Sequence, residues 1–479
     1  MRCFGLKHRH LILRAGLAVA VFLPALRAGC QAPSTPPPPM SGHLTLALAI
    51  QEAQARYPAI RAALERQEAA RNAIGVAKTA YLPRADMLWQ GNRATTNKPN
   101  IAFLPQGFVP VPDTPARPTT GHSDWNTLTG VLLAWQPFDF GVRHAQVGIA
   151  KFGYQSAQRA AELTRLNVAS AAAGAYLNVV AAHQAVKVQQ ANVDRMEAFA
   201  RTVHVLVDNT LRPGADASQA DAQLALARTQ LIQAQTQERV LLEALANLLQ
   251  VPSPQIVIDG RDVLGTPPAA TLNEAPVEAH PQAQQLAAVV REQEEQVHLL
   301  SRSYVPSFTV YGSASGLGAG LSSTSSPVFL GGGSGLAPTE LNWMAAFQVT
   351  FPAFQIFTIR QQKEVQKAQL SSTQASYQQM LGDLSAQEKE AQAMLDGARR
   401  IAGNTPVEVA AARTSEGQQK ARYSSGLATV IEVSTAEAAL AQAEGDDAVA
   451  RVNVWRGLAG VAEAQGDLTP FLQLLSKQP

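Results

Sequence analysis

The sequence predicts a mixed membrane-protein fold in which amphipathic β-strands are joined to long helical hairpins, with the whole plan present twice. Three observations predict it: an internal repeat, strand pairs with one apolar face, and long helical stretches interrupted only at proline- or glycine-containing turns. The repeat constrains the fold most strongly, because an overlooked repeat leads to the wrong fold.

Two matched intervals define the repeat. Tyr57-Pro58 opens a helical stretch that ends at Tyr81-Leu82-Pro83, and His280-Pro281 opens another that ends at Tyr304-Val305-Pro306. Each stretch runs 25 residues from proline to proline, and the second copy lies 223 residues after the first. The predicted divisions are a first repeat at residues 44–270, a second at 271–464 and a C-terminal tail at 465–479.

Each Tyr-x-Pro motif is followed by a pair of strands with alternating apolar and polar side chains, predicted near residues 83–95, 125–137, 305–316 and 341–352. Trp125 and Trp135 lie ten residues apart on one face, or about 33 Å along a strand. With a tilt of about 45°, they lie about 23 Å apart along a membrane normal, close to the separation of the aromatic girdles of a membrane β-barrel. We therefore predict an aromatic girdle formed by Trp125, Trp135 and Trp343.

A long helical hairpin follows each strand pair, at about residues 141–250 and 356–464. Residues 142–207 contain no proline and are rich in good helix formers, which predicts a helix of roughly 100 Å. The first hairpin turns near Pro213-Gly214, and leucines on its return arm have coiled-coil spacing. In the second, we expect an interruption between Ala402 and Pro406 and a turn at Ser424-Ser425-Gly426.

The segments between paired strands, residues 96–124 and 317–340, are rich in proline or glycine and are predicted to be surface loops. The glycine run at 331–335 is not a phosphate-binding loop, because no Lys-Ser/Thr follows it. Four short strands cannot close a membrane barrel alone, since the smallest barrels have about eight. The chain is therefore expected to associate with other copies.

The N-terminus has the pattern of an export signal. Basic residues precede an apolar run at 15–26, which is too short for a membrane span, so residues 1–29 are predicted to be a signal peptide. Cys30 follows Arg27-Ala28-Gly29, which resembles the end of a bacterial lipobox, and we predict a lipidated Cys30 on a proline-rich tether at 30–43. A lipobox normally has leucine where Arg27 stands, so ordinary cleavage near Ala28 or Ala32 remains an alternative.

Composition argues against several functional classes. Only 16% of residues are charged and the net charge is +2, so there is no strong field to attract nucleic acid. The two cysteines, Cys3 and Cys30, lie in or just after the signal segment, which excludes an internal disulfide. The sequence lacks the usual zinc, thiol, nucleophile and phosphate motifs, and its histidines are dispersed. We predict no enzyme activity and no catalytic, cofactor or metal site.

The order of these elements resembles the TolC-like outer-membrane efflux family, the outer membrane factors, over residues 44–464. The most similar motifs are Tyr-Leu-Pro at 81–83, Trp-Gln-Pro-Phe-Asp-Phe-Gly at 135–141 and Ala-Arg-Tyr-Ser-Ser-Gly-Leu-Ala-Thr-Val-Ile-Glu-Val at 421–433. The resemblance implies a homotrimer in which each chain gives four strands to a 12-stranded β-barrel and its hairpins to a periplasmic α-barrel. It also implies a passive outer-membrane exit duct of a tripartite efflux or type I secretion system. Its partners would be a periplasmic adaptor and an inner-membrane pump of RND, ABC or MFS type.

The resemblance also implies which residues act at the periplasmic end. The gate residues would be Tyr423, Glu432, Asp216 and Asp221, and the adaptor-docking turns would be Arg212, Pro213, Gly214, Ser425 and Gly426. Three Glu432 carboxylates brought close together would raise one another's pKa and attract cations. These acids can also be read as solvated charges at the hairpin ends, and the glycines as ordinary helix ends.

The chain departs from the family pattern at two places. Its second strand pair ends in Pro352-Ala353-Phe354 where the first has Asp-x-Gly, and Thr435 stands where the family often has a second acid. The alternative from another class is a periplasmic coiled-coil adaptor or scaffold lipoprotein, which would share the signal, the lipid and a hairpin. An adaptor needs one hairpin and compact soluble β-domains, whereas this sequence has two hairpins and amphipathic strand pairs.

Overall fold

The structure, a computed structural model, describes residues 43–95, 123–258, 260–265, 268, 275–320 and 333–476. The predicted signal peptide, Cys30, almost all of the tether and most of the two predicted loops lie outside these residues.

The first repeat contains α1 (Leu46–Arg56), α2 (Pro58–Thr79), β1 (Arg84–Thr95), β2 (Ser123–Phe138), α3 (Val142–Asp208), α4 (Gly214–Leu249) and the short α5 (Arg261–Leu264). The second contains α6 (Pro281–Arg302), β3 (Ser307–Ala319), β4 (Glu340–Thr350), α7 (Gln355–Ser424) and α8 (Val430–Ala464), and α9 (Thr469–Ser476) follows. Helices α2 and α6 are each 22 residues long and begin at the repeated prolines. Proline suits this first helical position, because its missing N–H would have no partner there.

The four strands form one antiparallel sheet in the order β1-β2-β3-β4. Arg84 pairs with Ala134 and Thr95 with Ser123, while Ser307 pairs with Thr350. On β4, Leu341 and Trp343 are 88% and 79% exposed, whereas their neighbour Asn342 is half-buried. The apolar face predicted for this strand is therefore the face that the protomer leaves uncovered, and the polar face turns the other way.

Two long helices run away from the sheet, each followed by a return arm. Helix α3 has 67 residues and α7 has 70, which corresponds to about 100 Å each. Helix α3 packs against α2, α4, α6 and α8, and α7 packs against α6 and α8. Thus α3 and α8 form the largest contact between the two hairpins.

The predicted interruption of the second hairpin near Pro406 is wrong, because α7 continues through this proline. A proline inside a helix removes one hydrogen bond and usually kinks the helix. Here α8 supports the position: the buried Thr405 donates its hydroxyl to Asp447 Oδ1 at 2.8 Å. Packing along α8 therefore outweighs the local preference for a break.

A compact belt surrounds the middle of the hairpins. Tyr176 on α3 is completely buried and donates its hydroxyl to the carbonyl of Leu44 at 3.1 Å. Trp455 of α8 packs edge-to-face on Phe471 of α9, with ring centroids 6.2 Å apart. The predicted C-terminal tail thus contributes a helix to the core.

Within the described residues, no helix combines the length and the apolar character that a membrane crossing requires.

Candidate functional site

The hairpin ends meet at Tyr423, one of the predicted gate residues. Its ring is 3% exposed and lies edge-on to Phe199 of α3, with centroids 5.2 Å apart. The guanidinium of Arg212, from the turn of the first hairpin, lies 4.5 Å above the same ring. Arg212 also donates Nη2 to the Tyr423 carbonyl at 2.8 Å. Tyr423 therefore joins the end of the second hairpin to the first within one chain.

A small apolar core surrounds this contact. Its buried members are Phe199, Ala200, Val203, Ala220, Tyr423, Ala428, Val430 and Val433, drawn from both hairpins. We call this set the tip core. Burial acts to raise the pKa of the Tyr423 hydroxyl, and the Arg212 charge only partly offsets it. The hydroxyl makes no hydrogen bond within the described part of the chain. The ring, not the hydroxyl, therefore makes the contact.

Glu432 closes the start of α8 in a capping box. Its Oε2 accepts the backbone N–H of Thr429 at 2.6 Å, and the Thr429 hydroxyl accepts the N–H of Glu432 at 3.3 Å. Such reciprocal bonds satisfy helix N–H groups that have no partner in the first turn. The bond from the Thr429 N–H holds the pKa of the exposed Glu432 carboxyl below its usual range. Within one chain, Glu432 thus has a helix-capping role. The expected pKa increase among three copies concerns an assembly and remains a prediction.

The two aspartates of the first turn bond within their own hairpin. Asp216 lies in the first turn of α4, 4.0 Å from Arg212, where a carboxylate also suits the helix dipole. Asp221 lies 2.9 Å from His204 Nε2 on α3, and this hydrogen bond raises the pKa of His204. In the sequence, His204 is only one of several dispersed histidines and was not singled out. The sequence does contain an indication of this pair. His204 and Asp221 are equally far from the turn at Arg212-Pro213, so an antiparallel hairpin places them opposite each other.

The turns themselves are helix-ending structures. Gly426 has φ of +78°, a left-handed conformation that favours glycine, and its N–H donates to the Tyr423 carbonyl at 3.0 Å. Pro213 precedes Gly214, the first residue of α4. The large apolar side chains of Leu211 and Leu427 remain exposed at the two turns. Gly426 is therefore explained by local geometry, while the exposed leucines leave an apolar surface at the end of the molecule.

At the opposite end, Asp139 organises the passage from β2 into α3. It accepts the N–H of Gly141 at 3.2 Å and both the N–H and Nε of Arg143 at 2.7 Å. Arg143 is buried, lies 4.9 Å from the centre of the Tyr81 ring, and donates to the carbonyls of Ala80 and Gln136. We call Asp139 and Arg143 the junction clamp. Burial acts to raise the pKa of Asp139, but these bonds outweigh it and lower the pKa.

The second junction has no equivalent clamp. Phe354 precedes α7 and provides no side-chain cap, and the aspartate of the first junction is absent. Instead, Phe351, Phe354 and Phe357 are all strongly exposed around the end of β4. This difference agrees with the departure seen in the sequence. It gives the helix end of the sheet an aromatic cluster that the sequence reasoning did not single out.

The register separates the three tryptophans of the predicted girdle. Trp135 lies near the helix end of the sheet and donates Nε1 to the Tyr81 carbonyl at 3.2 Å, and Trp125 lies near the opposite end, paired with Arg93. Trp343 pairs with Ala314, which in turn pairs with Val131. Within the sheet, Trp343 is therefore in register with the middle of β2, and the girdle formed by the three tryptophans stays a prediction.

The structure also places an acid that the sequence reasoning missed. Glu437 of α8 is 0% exposed, an unusual state for a carboxyl group. Glu437 is the one charged residue in the alanine-rich run Ala436 to Ala439, and this isolated charge is the sequence pattern that could have drawn attention to it. Among the described residues, no three His, Cys, Asp or Glu side chains are grouped as metal ligands.

Comparison with known proteins finds similarity in sequence to one family and in structure to several solved proteins. Residues 49–250 match the model of the family described as "Outer membrane efflux protein". No curated protein is significantly similar in sequence to the chain.

Solved structures match over almost the whole chain. The outer membrane protein VceC of Vibrio cholerae is 17% identical with a TM-score of 0.70, and the match covers 88% of this chain and 96% of VceC. The CmeC outer membrane channel of Campylobacter jejuni is 17% identical, with a TM-score of 0.69 and coverage of 93% and 94%. The open state of the MtrE outer membrane channel of Neisseria gonorrhoeae is 18% identical, with a TM-score of 0.69 and coverage of 88% and 89%. The predicted resemblance is confirmed, and the chain has the fold of TolC-like channels.

Proposed function

We propose that this chain is one protomer of a homotrimeric duct in the bacterial outer membrane, through which substrate leaves the periplasm passively. The observation that carries the proposal is a four-stranded sheet with an exposed apolar face, joined directly to helices about 100 Å long. A membrane strand needs an apolar outer face, whereas a soluble sheet would cover it.

Three copies would give twelve strands, which is enough to close a barrel. Within the described sheet, β1 and β4 are edge strands, so each copy offers one edge to either neighbour. The helical hairpins of three copies would surround the same axis as a periplasmic tunnel. Similarity to proteins described as outer membrane channels supports the assignment. Lipidation of Cys30 would anchor the N-terminus at the membrane, and this part of the proposal rests on the sequence alone.

The hairpin turns would face the rest of an export machine, which we propose is a tripartite efflux or type I secretion system. Arg212, Pro213, Gly214, Ser425 and Gly426 form the turns, and the exposed Leu211 and Leu427 beside them supply apolar contact area for the hairpin of a periplasmic adaptor. An inner-membrane pump of RND, ABC or MFS type would deliver the substrate. Nothing in the duct needs to select it.

The duct would be closed at the tip core. Tyr423 and Glu432 lie at the end of the second hairpin, with Asp216 and Asp221 at the end of the first. In the trimer, three Glu432 carboxylates at one level would attract cations. Single-channel block by divalent cations tests this role, with Glu432→Gln compared with Glu432→Ala. Glutamine can keep the capping box. Loss of block in both variants supports the gate, and unchanged block removes Glu432 from it.

The membrane assignment is tested on neighbouring residues of β4. Arginine on the lipid face of a barrel costs about 2–4 kcal/mol near the membrane midplane, and much less on the inner face. We expect Trp343→Arg to reduce the amount of detergent-extractable outer-membrane trimer strongly. Asn342→Arg is the matched control, because Asn342 is the adjacent residue on the opposite face.

The measurement is the amount of trimer in the outer-membrane fraction, with single-channel conductance of the purified material in planar bilayers. Equal tolerance of both variants would contradict the proposed orientation of the sheet. A wild-type protein recovered as a soluble or inner-membrane species would instead support the adaptor alternative.

A further inference from the structure

A second contact between the hairpins lies one helical turn from the tip core. Glu437 follows Val433 by four residues on α8, and Arg195 precedes Phe199 by four residues on α3. Arg195 Nε lies 2.9 Å from Glu437 Oε2, although the glutamate is completely buried. Residues four apart share one face of a helix. The ion pair therefore continues the same interface that the tip core begins.

Glu437 has a second basic partner on α7. Lys420 contacts Glu437 Oε1 and also contacts Glu416, which lies one turn before it on the same helix. Glu437 thus joins three helices, with Arg195 on α3 and Lys420 on α7. The side chain holds the first hairpin to both arms of the second.

Further ion pairs surround this contact. Arg195 Nη1 lies 3.3 Å from Glu444 Oε2, and Arg413 of α7 lies 3.0 Å from Glu444 Oε1. The acids are Glu416, Glu437 and Glu444, and the bases are Arg195, Arg413 and Lys420. With every group ionised, three negative charges balance three positive ones. Protonation of one acid leaves an excess positive charge between the hairpins.

Such a contact is a poor way to gain stability. Removing a carboxylate from water costs several kcal/mol, and apolar residues of similar volume often serve a buried site as well or better. The tip core one turn away uses such residues. A buried acid differs from them in one property: its attraction for Arg195 and Lys420 disappears when it binds a proton.

The two neighbouring carboxyls hold their protons unequally. Burial raises the pKa of Glu437, and the contact with Glu416 adds to this effect while Lys420 opposes it. For Glu416, burial also acts to raise the pKa, but the contacts with Lys420 and Glu437 outweigh it and lower the pKa. Burial acts to lower the pKa of Lys420, yet its acidic partners keep it raised. Of these two neighbouring carboxyls, Glu437 is therefore the one that binds a proton more readily, and Lys420 keeps its charge.

We propose that Glu437 is a proton-binding latch that holds α8 against α3 when ionised and releases it when protonated. When the carboxyl is neutral, Arg195 and Lys420 lose the negative charge of Glu437 that lies between them, and their positive charges repel each other. The released segment is the start of α8, which carries Glu432 and packs against Tyr423. This inference rests on the proposed duct, because it makes opening of the tip sensitive to acid.

Conductance against pH tests the latch in the full-length purified trimer. If the release of one latch opens a channel, the ratio of open to closed channels rises by up to about tenfold per pH unit as pH falls, and if all three latches must release together it rises by up to about a thousandfold. Glu437→Gln, which has nearly the same shape and no charge, should give the acid level of opening at neutral pH and abolish the dependence. Asp446→Asn is the matched control, since Asp446 is an exposed acid on the same helix.

A second measurement does not depend on conduction. Spin labels at Ala198 of α3 and Ala438 of α8, both exposed residues beside the latch, report the separation of the two helices. We expect a longer or broader distance distribution in acid for the wild type, and at every pH for Glu437→Gln. Identical distributions in the two proteins at neutral and acid pH would overturn the latch. A wild type that shows no conductance at any pH would contradict the duct, while the label distances would still decide the latch.

Discussion

The junction clamp offers the sharpest test of how the sheet is joined to the helices. The perturbation is Asp139→Ala, which removes one carboxylate that accepts three hydrogen bonds and neutralises a buried guanidinium. The side chains of Asp139 and Arg143 are 17% and 8% exposed, so water cannot easily replace the lost partner. Both the helix cap and the ion pair are lost together.

The magnitude follows from these two losses. Removing a side-chain acceptor for the first N–H groups of a helix, as at an N-cap, costs about 0.5–2 kcal/mol, and breaking a buried ion pair by deleting one partner costs about 3–5 kcal/mol. Arg143 keeps the carbonyls of Ala80 and Gln136 and the Tyr81 ring, which offset part of the second loss. We therefore expect a decrease in the free energy of unfolding of about 3–5 kcal/mol.

The assay is equilibrium unfolding by urea in detergent micelles, followed by tryptophan fluorescence. Glu162→Ala is the control, because it breaks a 2.6 Å ion pair on the same helix that is far more exposed. Such pairs contribute at most about 1 kcal/mol. Since the folded pKa of Asp139 is lowered, the stabilisation is complete above the ordinary carboxyl pKa and declines as pH falls below about 4. If Asp139→Ala costs no more than Glu162→Ala, the clamp has no structural importance and the reasoning fails.

Three further predictions concern the tip core and the middle belt. Tyr423→Phe should change the free energy of unfolding by less than about 1 kcal/mol, whereas Tyr423→Ala should lower it by about 3–5 kcal/mol. The reason is that the ring is packed, while the hydroxyl makes no hydrogen bond within the described residues. Equal losses in the two variants would contradict this. Glu432→Ala should speed amide exchange in the first turn of α8 and Glu432→Gln much less, and equal exchange would argue against the capping box. Burial lowers the pKa of His280, so stability should fall as pH drops below about 6.5. His280 precedes α6, and its Nδ1 accepts the N–H of Gln282 at 3.2 Å. In His280→Asn, which keeps an acceptor at this helix start, the dependence of the unfolding free energy on pH should disappear.

Much of the fold was predictable because its signals are periodic and local. The matched prolines at 58 and 281 mark the starts of α2 and α6, and the observed strands begin and end within three residues of the predicted positions. Alternation on β4 identified its exposed face because a strand has a period of two. The continuity of α7 through Pro406 was not predictable, since it depends on α8, a segment about 40 residues further along the chain.

The site was less predictable for the same reason. Tyr423 was found through its motif, but its partners Phe199 and Arg212 belong to the other repeat. Burial of Glu437 requires α3 and α7 to close around it, and no pattern along α8 alone contains that information. Trp343 was assigned to a girdle from its residue type alone, and its place in the sheet relative to Trp125 and Trp135 could not be predicted because it depends on the register of β4 with β3.

The open sheet has a consequence for the life of the protein in the cell. In the described sheet, β1 pairs only with β2 and β4 pairs only with β3, so the outer edge of each has no neighbouring strand. Such edges are templates on which other chains aggregate. If β4 of one copy meets β1 of the next, the contact is head-to-tail, and only a closed ring leaves no free edge. In the proposed assembly, an incomplete ring would keep exposed strand edges and would aggregate readily. Protein concentration and the time spent unassembled in the periplasm would therefore limit the yield of the assembled protein.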